Sequence, residues 1–270
     1  MATTTTSKGS SHRWGALWDE RANDWAGVED QQAPTYEEAL RRVELASGAR
    51  ALEVGCGSGT FLRLAANRGA RVTGIDASEE LVQLARKRVP EADVRVADLE
   101  SLPFGDASFD AVFGFNVFFF AIDMVGALRE ARRVAKPDTP VVIQVWGEPE
   151  RCDLTAMKQA VGAALATAAP DGGAEPPPQP SLAAPGVLEA IAEQAGLKPE
   201  SAFDLSWAYE YAGDADLAAA MVSAGPMREA AAVLGEEGLR DVIVESLEPY
   251  RTARGGFRLA NEWHFLVARA

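Results

Sequence analysis

Cysteine is nearly absent: the 270 residues contain two, Cys56 and Cys152, far apart and without ligand-like spacing. That excludes a disulfide framework and a cysteine-built metal centre, and it suits a reducing compartment. Histidine is equally scarce, with His12 and His264 only, so no metal is expected. Positive charge is short as well: 26 Lys and Arg stand against 40 Asp and Glu, a formal net charge of -14. A field of that sign repels phosphate-backbone polymers, so nucleic acid is not an expected partner. No apolar run reaches membrane-spanning length, and the polar first ten residues lack the apolar core of a signal peptide. The expectation is a cytoplasmic protein without membrane insertion.

What is there is an ordinary globular composition, 47% hydrophobic and 24% charged, on a chain long enough for one large core. Its organising stretch is Ala51-Leu-Glu-Val-Gly-Cys-Gly-Ser-Gly-Thr60. Strand-forming Leu52 and Val54 lead into alternating Gly55, Gly57 and Gly59, and Phe61, Leu64 and Ala65 then take up helical spacing. Glycine lets the backbone turn sharply beside a ligand, and the helix start is expected to offer it unpaired N–H groups. A nucleotide-like cofactor fits such a loop.

Upstream, residues 1–11 read as a tail, and Trp14, Leu17, Trp18 and Trp25 read as a helix that packs on the body or forms a lid. Thr35 and Glu38 have the spacing of a capping box ahead of Tyr36, Ala39, Leu40 and Val43, with Gly48 as the stop. Downstream, Arg71–Asp76 and Asp93–Asp98 are strands that end in acids. Between them Ser78 caps a helix with acids at its start and bases at its end. Phe109–Asn116 is a strand buried on both faces, Asp123 caps a helix that closes at Lys136-Pro137, and Pro140–Trp146 is a fifth strand. These alternations imply an α/β fold, a doubly wound parallel sheet whose ligands gather at the carboxyl ends of its strands. Glu53, Asp76, Asp98 and Asn116 all fall at or near such ends.

After Arg151 an Ala-rich helix runs to Ala169, followed by a Pro-rich loop at Pro170–Pro180. Pro185 opens a further helix, Ser201–Tyr211 is a sixth strand, helices occupy Met227–Leu234 and Glu236–Pro249, and Gly256–Ala268 is the last strand. Trp207, Tyr209 and Tyr211 alternate on one strand face, as core or as pocket wall. Phe118, Phe119 and Phe120 divide between sheet packing and the floor of an apolar pocket.

Two details bear on the cofactor. The dinucleotide fingerprint wants a small third residue where this chain has Thr60, its third glycine standing one place early at Gly59. Glu53, just before the loop, would oppose a diphosphate and suits a ligand carrying ammonium and sulfonium charge. Asp76 lies about twenty residues past the first glycine, the spacing at which an acid meets ribose hydroxyls.

Together these stretches resemble the class I S-adenosylmethionine-dependent methyltransferases. The resemblance rests on Leu52–Thr60, Val72–Ser78, Val96–Phe104, Ser108–Val112 and Leu128–Val134 with Lys136-Pro137, and covers Ala49–Gly147. Within the superfamily the chain looks like the branch holding quinone-biosynthesis and natural-product methyltransferases. One departure is Asp138-Thr139, where the family usually has a glycine turn.

The resemblance implies S-adenosyl-L-methionine as cofactor. Gly55, Gly57 and Gly59 would lie against its methionine part with Glu53 nearby, Asp76 would accept from the ribose hydroxyls and Ala77 would pack on adenine. Asp98 would accept from the adenine amino group, Leu99 would cover the ring, and Asn116 would stand beside the departing methyl. Trp25, Tyr36, Phe119, Trp146 and Tyr209 are expected to line an acceptor pocket. The sheet is expected to be Rossmann-like, mostly parallel and seven-stranded, with an antiparallel last strand and a small helical cap. The divisions are residues 1–48 (tail and lid helices), 49–147 (cofactor-binding core), 148–184 (cap insertion and Pro-rich loop) and 185–270 (completion of the fold with substrate-side helices).

The expected reaction is methyl transfer by in-line displacement to a small, apolar or aromatic metabolite of secondary metabolism. Alternatives are an NAD-dependent oxidoreductase, or an S-adenosylmethionine-binding protein with a cyclase or regulatory role. The sequence names no catalytic base, acceptor or oligomeric state.

Overall fold

Alternating apolar strands and amphipathic helices assemble as their order dictates. In a computed structural model, described over residues 9–169 and 180–270, the chain opens with α1 (Ser11–Asp19), α2 (Ala22–Asp30) and α3 (Ala33–Arg42). The core continues through β1 (Arg50–Val54), α4 (Thr60–Asn67), β2 (Arg71–Asp76), α5 (Glu79–Arg88), β3 (Asp93–Val96) and β4 (Ala111–Phe115). It closes with α6 (Met124–Val134) and β5 (Pro140–Trp146). Then follow α7 (Leu154–Ala168), α8 (Val187–Gln194), β6 (Lys198–Tyr211), α9 (Asp214–Val222), α10 (Gly225–Leu234), α11 (Glu236–Leu247) and β7 (Phe257–Arg269). The Pro-rich stretch expected at 170–180 lies, up to residue 179, outside the described residues, as do residues 1–8 of the expected tail.

The seven strands form one sheet in the order β3-β2-β1-β4-β5-β7-β6. The first five are parallel, and β7 runs antiparallel between β5 and β6. This is the expected fold class, with the antiparallel strand inserted inside the edge. Strand order reverses between β1 and β4, so a crevice opens at their carboxyl ends, the place where such sheets bind ligands. Two apolar cores lie on either face: Phe61, Phe113, Phe115, Tyr36 and Trp263 share one, and Leu52, Val54, Val112 and Leu128 the other.

Several local expectations shift. The tryptophan-bearing N-terminal stretch is two helices rather than one. The capping box at Thr35 does not form: α3 starts earlier, with Pro34 in its first turn, where a missing N–H costs nothing. The Thr35 hydroxyl donates to the Gln32 carbonyl, and Glu38 is taken by Arg41 and Arg42 at 2.6 and 2.7 Å. These guanidiniums lower the Glu38 carboxyl to about 2. The strands expected at 93–98 and 109–116 stop at Val96 and Phe115, leaving Asp98 and Asn116 in the loops beyond. Trp207 turns outward, 43% exposed, while Tyr209 and Tyr211 are buried. Asp138 holds φ at 62°, so the turn keeps the left-handed conformation that glycine usually supplies there.

The caps at Ser78 and Asp123 form as expected, with the Leu81 and Gly126 N–H groups donating to them. Losing an N-cap typically removes about 1 kcal/mol. Asp123→Ala is therefore expected to lower stability by about 1 kcal/mol in denaturant titration while leaving ligand binding in place.

Candidate active site

The glycine loop joins β1 to α4, and Gly55, Gly57 and Gly59 all sit at positive φ (71°, 51° and 87°). Only glycine adopts this sequence of left-handed turns without strain. The loop amides, however, are not left for a ligand. The Gly57 N–H donates to Asp76 Oδ2 at 2.9 Å, and those of Ser58 and Thr60 donate to the Glu29 carboxylate at 2.6 and 2.9 Å. The expectation of unpaired N–H groups at this helix start is thus corrected: a buried acid from α2, 29 residues upstream of Ser58, caps α4. A carboxylate at a helix N-terminus is favoured by the same dipole that would draw an anionic ligand.

A cavity of about 340 Å³ opens over the carboxyl ends of the strands. Gly55, Gly57, Asp76, Ala77, Leu99 and Asn116 line it, and so do all five expected pocket residues, Trp25, Tyr36, Phe119, Trp146 and Tyr209. Glu53, Gly59 and Asp98 stand apart. Glu53 lies buried behind the loop, 2% exposed, with Oε2 lacking any hydrogen-bond partner. A Cβ at Gly59 would meet Ala85 at 3.1 Å, so this glycine serves the close packing of α4 on α5. Asp98 lies beneath the start of α1: it accepts from the Ser11 hydroxyl at 2.7 Å, the Ser11 N–H at 3.2 Å and the Glu100 N–H at 2.8 Å. Burial raises the Asp98 pKa, but those hydrogen bonds outweigh it and leave the carboxyl below its ordinary value.

The N-terminal helices roof the cavity. Trp14 donates through Nε1 to the Phe120 carbonyl at 3.0 Å and meets that ring edge-on at 4.7 Å. Trp18 and Trp25 pack edge-on at the same spacing. Gly15 allows this closure, because a Cβ there would stand 2.5 Å from the Ala77 carbonyl oxygen. Asp19 ties the end of α1 to the start of α5, accepting from the Ser78 hydroxyl at 2.6 Å and the Glu80 N–H at 3.0 Å. Of the three consecutive phenylalanines, Phe118 packs into the core and Phe119 and Phe120 face the cavity.

Electrostatics single out the β1–β2 side. Glu29, Glu53 and Asp76 cluster there, and burial raises the pKa of all three. Glu53 is raised most plainly, by burial first and then by the charges of Glu29 and Asp76. Asn116 adds a left-handed φ of 51° and a buried Oδ1 without partner. Strain and orphaned polar atoms at one strand end are the marks of a ligand site. Cation-stabilised chemistry suits this side and a diphosphate does not.

The sequence reading did not find Glu29, and only the aromatic spacing before it hinted at a lid. Lys158, Met221 and Met227 also line the cavity without a local signal in the sequence. The two histidines stay outside: His264 Nδ1 lies 2.7 Å from Asp204 across β7 and β6, and His12 belongs to α1. Among the described residues no single helix is long and apolar enough to cross a membrane.

Comparison with known proteins agrees with this geometry. A methyltransferase-domain family model matches residues 52–143. The chain is 35% identical over 136 residues to 27-O-demethylrifamycin SV methyltransferase of Amycolatopsis mediterranei, covering 45% of this chain and 49% of that protein. It is 35% identical over 124 residues to demethylmenaquinone methyltransferase of Tropheryma whipplei, covering 45% and 52%. The aligned parts thus span about half the length of these relatives. Among solved structures, the (4+2)-cyclase SpnF superposes with a TM-score of 0.56 at 22% identity, over 88% of this chain and 80% of that one. At that identity the likeness is one of fold.

Proposed function

This chain belongs to the class I S-adenosylmethionine-dependent methyltransferase superfamily, and on that premise we propose that it methylates a small, apolar acceptor. The observation that carries the reading is the cluster of buried Glu29 and Glu53 with half-buried Asp76, beside a cavity walled mainly by aromatic and apolar side chains. Desolvated carboxylates close together are stabilised by a cationic ligand and destabilised by an anionic one. The loop amides, already held by Glu29 and Asp76, leave little for a pyrophosphate to bind. S-adenosylmethionine supplies a methyl group already activated on a sulfonium.

The chain's residues do the rest by positioning and exclusion of water. Asp76 spends one lone pair per oxygen on the Gly57 and Ser78 amides and keeps the others for two ribose hydroxyls. Ala77 and Leu99, which line the cavity, would flank the adenine, and Asn116 would offer its unpartnered Oδ1 near the reacting end. Glu53 stabilises the donor's positive charge from behind the loop. Asp98, which stands apart from the cavity and is held by Ser11, would contact adenine only by sharing its carboxylate with that residue. Phe119, Trp146, Tyr36 and Tyr209 form the dry wall against which the acceptor lies. Tyr36 and Tyr209 stay neutral phenols, each pushed well up first by burial.

The family relationship also supports an acceptor of the natural-product or quinone kind, the chemistry named for the rifamycin and menaquinone relatives. Calorimetry with S-adenosylhomocysteine and with NAD tests the cofactor, and transfer of methyl label to a panel of small aromatic acceptors tests turnover. Binding of S-adenosylhomocysteine with label transfer is expected. Binding of NAD alone would overturn the reading, and binding of the cofactor product without any transfer would replace it with a non-methylating role.

A further inference from the structure

The wall opposite the acids carries one lysine. Lys158, on α7, lines the cavity with its ammonium 4.4 Å above the ring of Trp146. No carboxylate among the described residues pairs with it, and the titratable group acting on it is the Cys152 thiol, which burial keeps neutral. Partial desolvation by the cavity wall lowers the Lys158 pKa below the ordinary lysine value, although the side chain as a whole is exposed. The ammonium thus stands over the indole at the open side of the cavity, where an anionic group of a bound ligand would complete a pair that the chain itself leaves open.

Its position relative to the acids follows from the sheet. Trp146 ends β5 and Asp76 ends β2, three strands apart in the order β2-β1-β4-β5. At about 4.8 Å per strand that is roughly 14 Å. The cavity is therefore polarised, with carboxylates at one end and a single ammonium at the other. A donor carrying ammonium and sulfonium charge complements the first end. The second end lies where a second ligand would sit.

We propose that Lys158 is a specificity-determining residue that pairs with an anionic oxygen, carboxylate or phenolate, on an apolar acceptor. This rests on the methyltransferase reading for the identity of the ligand at the acid end, and on the cavity geometry for the rest. The apolar body of the acceptor lies against Trp146, Met157 and Tyr209, and its acid group meets the ammonium. No proton or bond changes hands at Lys158. It holds the acceptor in place and favours its ionised form.

The test uses the full chain loaded with S-adenosylhomocysteine and two matched pairs of probes followed by calorimetry. One pair is 2-naphthoate and 2-naphthamide, the other 4-nitrophenol and 4-nitroanisole. A preference of about tenfold or more for the anionic member of at least one pair is expected. The pair that shows it tells carboxylate from phenolate. In the phenol arm the bound probe should also show the yellow phenolate band at a lower pH than it does in solution.

Lys158→Met, which keeps the apolar stem, should abolish the preference while binding the neutral member and S-adenosylhomocysteine as before. Lys158→Arg should retain it. If wild type binds both members of each pair alike, or if the preference survives in Lys158→Met, the proposal is overturned. Failure of S-adenosylhomocysteine to bind would instead overturn the methyltransferase reading, and the anion preference measured on the unloaded chain would still decide the role of Lys158.

Discussion

Asp76→Ala is expected to weaken S-adenosylhomocysteine binding by about 100-fold, read by calorimetry. Hydrogen bonds to a charged group contribute about 1.5–3 kcal/mol to binding or stability, and the carboxylate at the end of β2 is proposed to accept from two hydroxyls at once. The same oxygens accept the Gly57 and Ser78 N–H groups, both at 2.9 Å. Alanine leaves those amides without acceptors, so some loss of stability will accompany the loss of affinity. Asp76→Asn separates the two effects. It keeps one acceptor oxygen for the backbone but turns an amide NH₂ toward the other partners, so affinity should fall further than thermal stability does. Unchanged affinity in both variants would remove Asp76 from the ribose site.

Glu53→Gln is expected to move stability and binding in opposite directions. Glu53 is buried, its Oε2 lacks a partner, and burial together with Glu29 and Asp76 raises its pKa well above the ordinary carboxyl value. In the unfolded chain it titrates near 4.3. Between that pH and its higher folded value the native state binds the extra proton. Wild-type stability from this group is therefore greatest in acid and falls as pH rises toward the folded pKa. Glutamine does not titrate, so the variant should match wild type near pH 4 and exceed it increasingly above. A gain of roughly 1–3 kcal/mol, the cost of a buried unsatisfied polar group, is expected at neutral pH in urea titrations. The donor's cationic end loses its counter-charge in the same variant, so S-adenosylhomocysteine, which keeps the ammonium but lacks the sulfonium, should bind about tenfold more weakly and S-adenosylmethionine more weakly still. A variant that gained no stability on raising pH would show that Glu53 does not bear its charge unaided.

The strand-loop-helix unit, the acid ending β2 and the five parallel strands were legible because each is local: apolar runs, alternating glycines and caps lie within a few residues of one another. Ser78 and Asp123 are caps in the structure for that reason. What escaped was settled by partners distant in sequence. Nothing near Glu29 marks it as the cap of a helix that begins at Thr60, and nothing near Thr35 announces that Pro34 has already started α3. The insertion of β7 between β5 and β6 depends on pairings such as Val145 with His264 and Asp204 with His264, which no periodicity within either strand reveals. The aromatic pocket residues were legible as apolar side chains, Trp25 and Tyr36 on the N-terminal helices and Phe119 and Trp146 near strand ends. Lys158 was not, because nothing within an Ala-rich helix tells that the sheet brings Trp146 beneath its ammonium.

The first two helices cap two helix ends of the core: Asp19 serves α5 and Glu29 serves α4, while α1 itself starts on Asp98 of the core. The roof and the nucleotide-binding unit are thus not separable pieces. A chain cut back to Arg50 would lose a covering over the cavity and, in the same stroke, the acceptors for the first turns of α4 and α5. The boundary marked at residue 48 by the Gly48 stop is a seam in sequence only, and engineering that treats the N-terminal segment as a removable handle would unsettle the glycine loop it leaves behind.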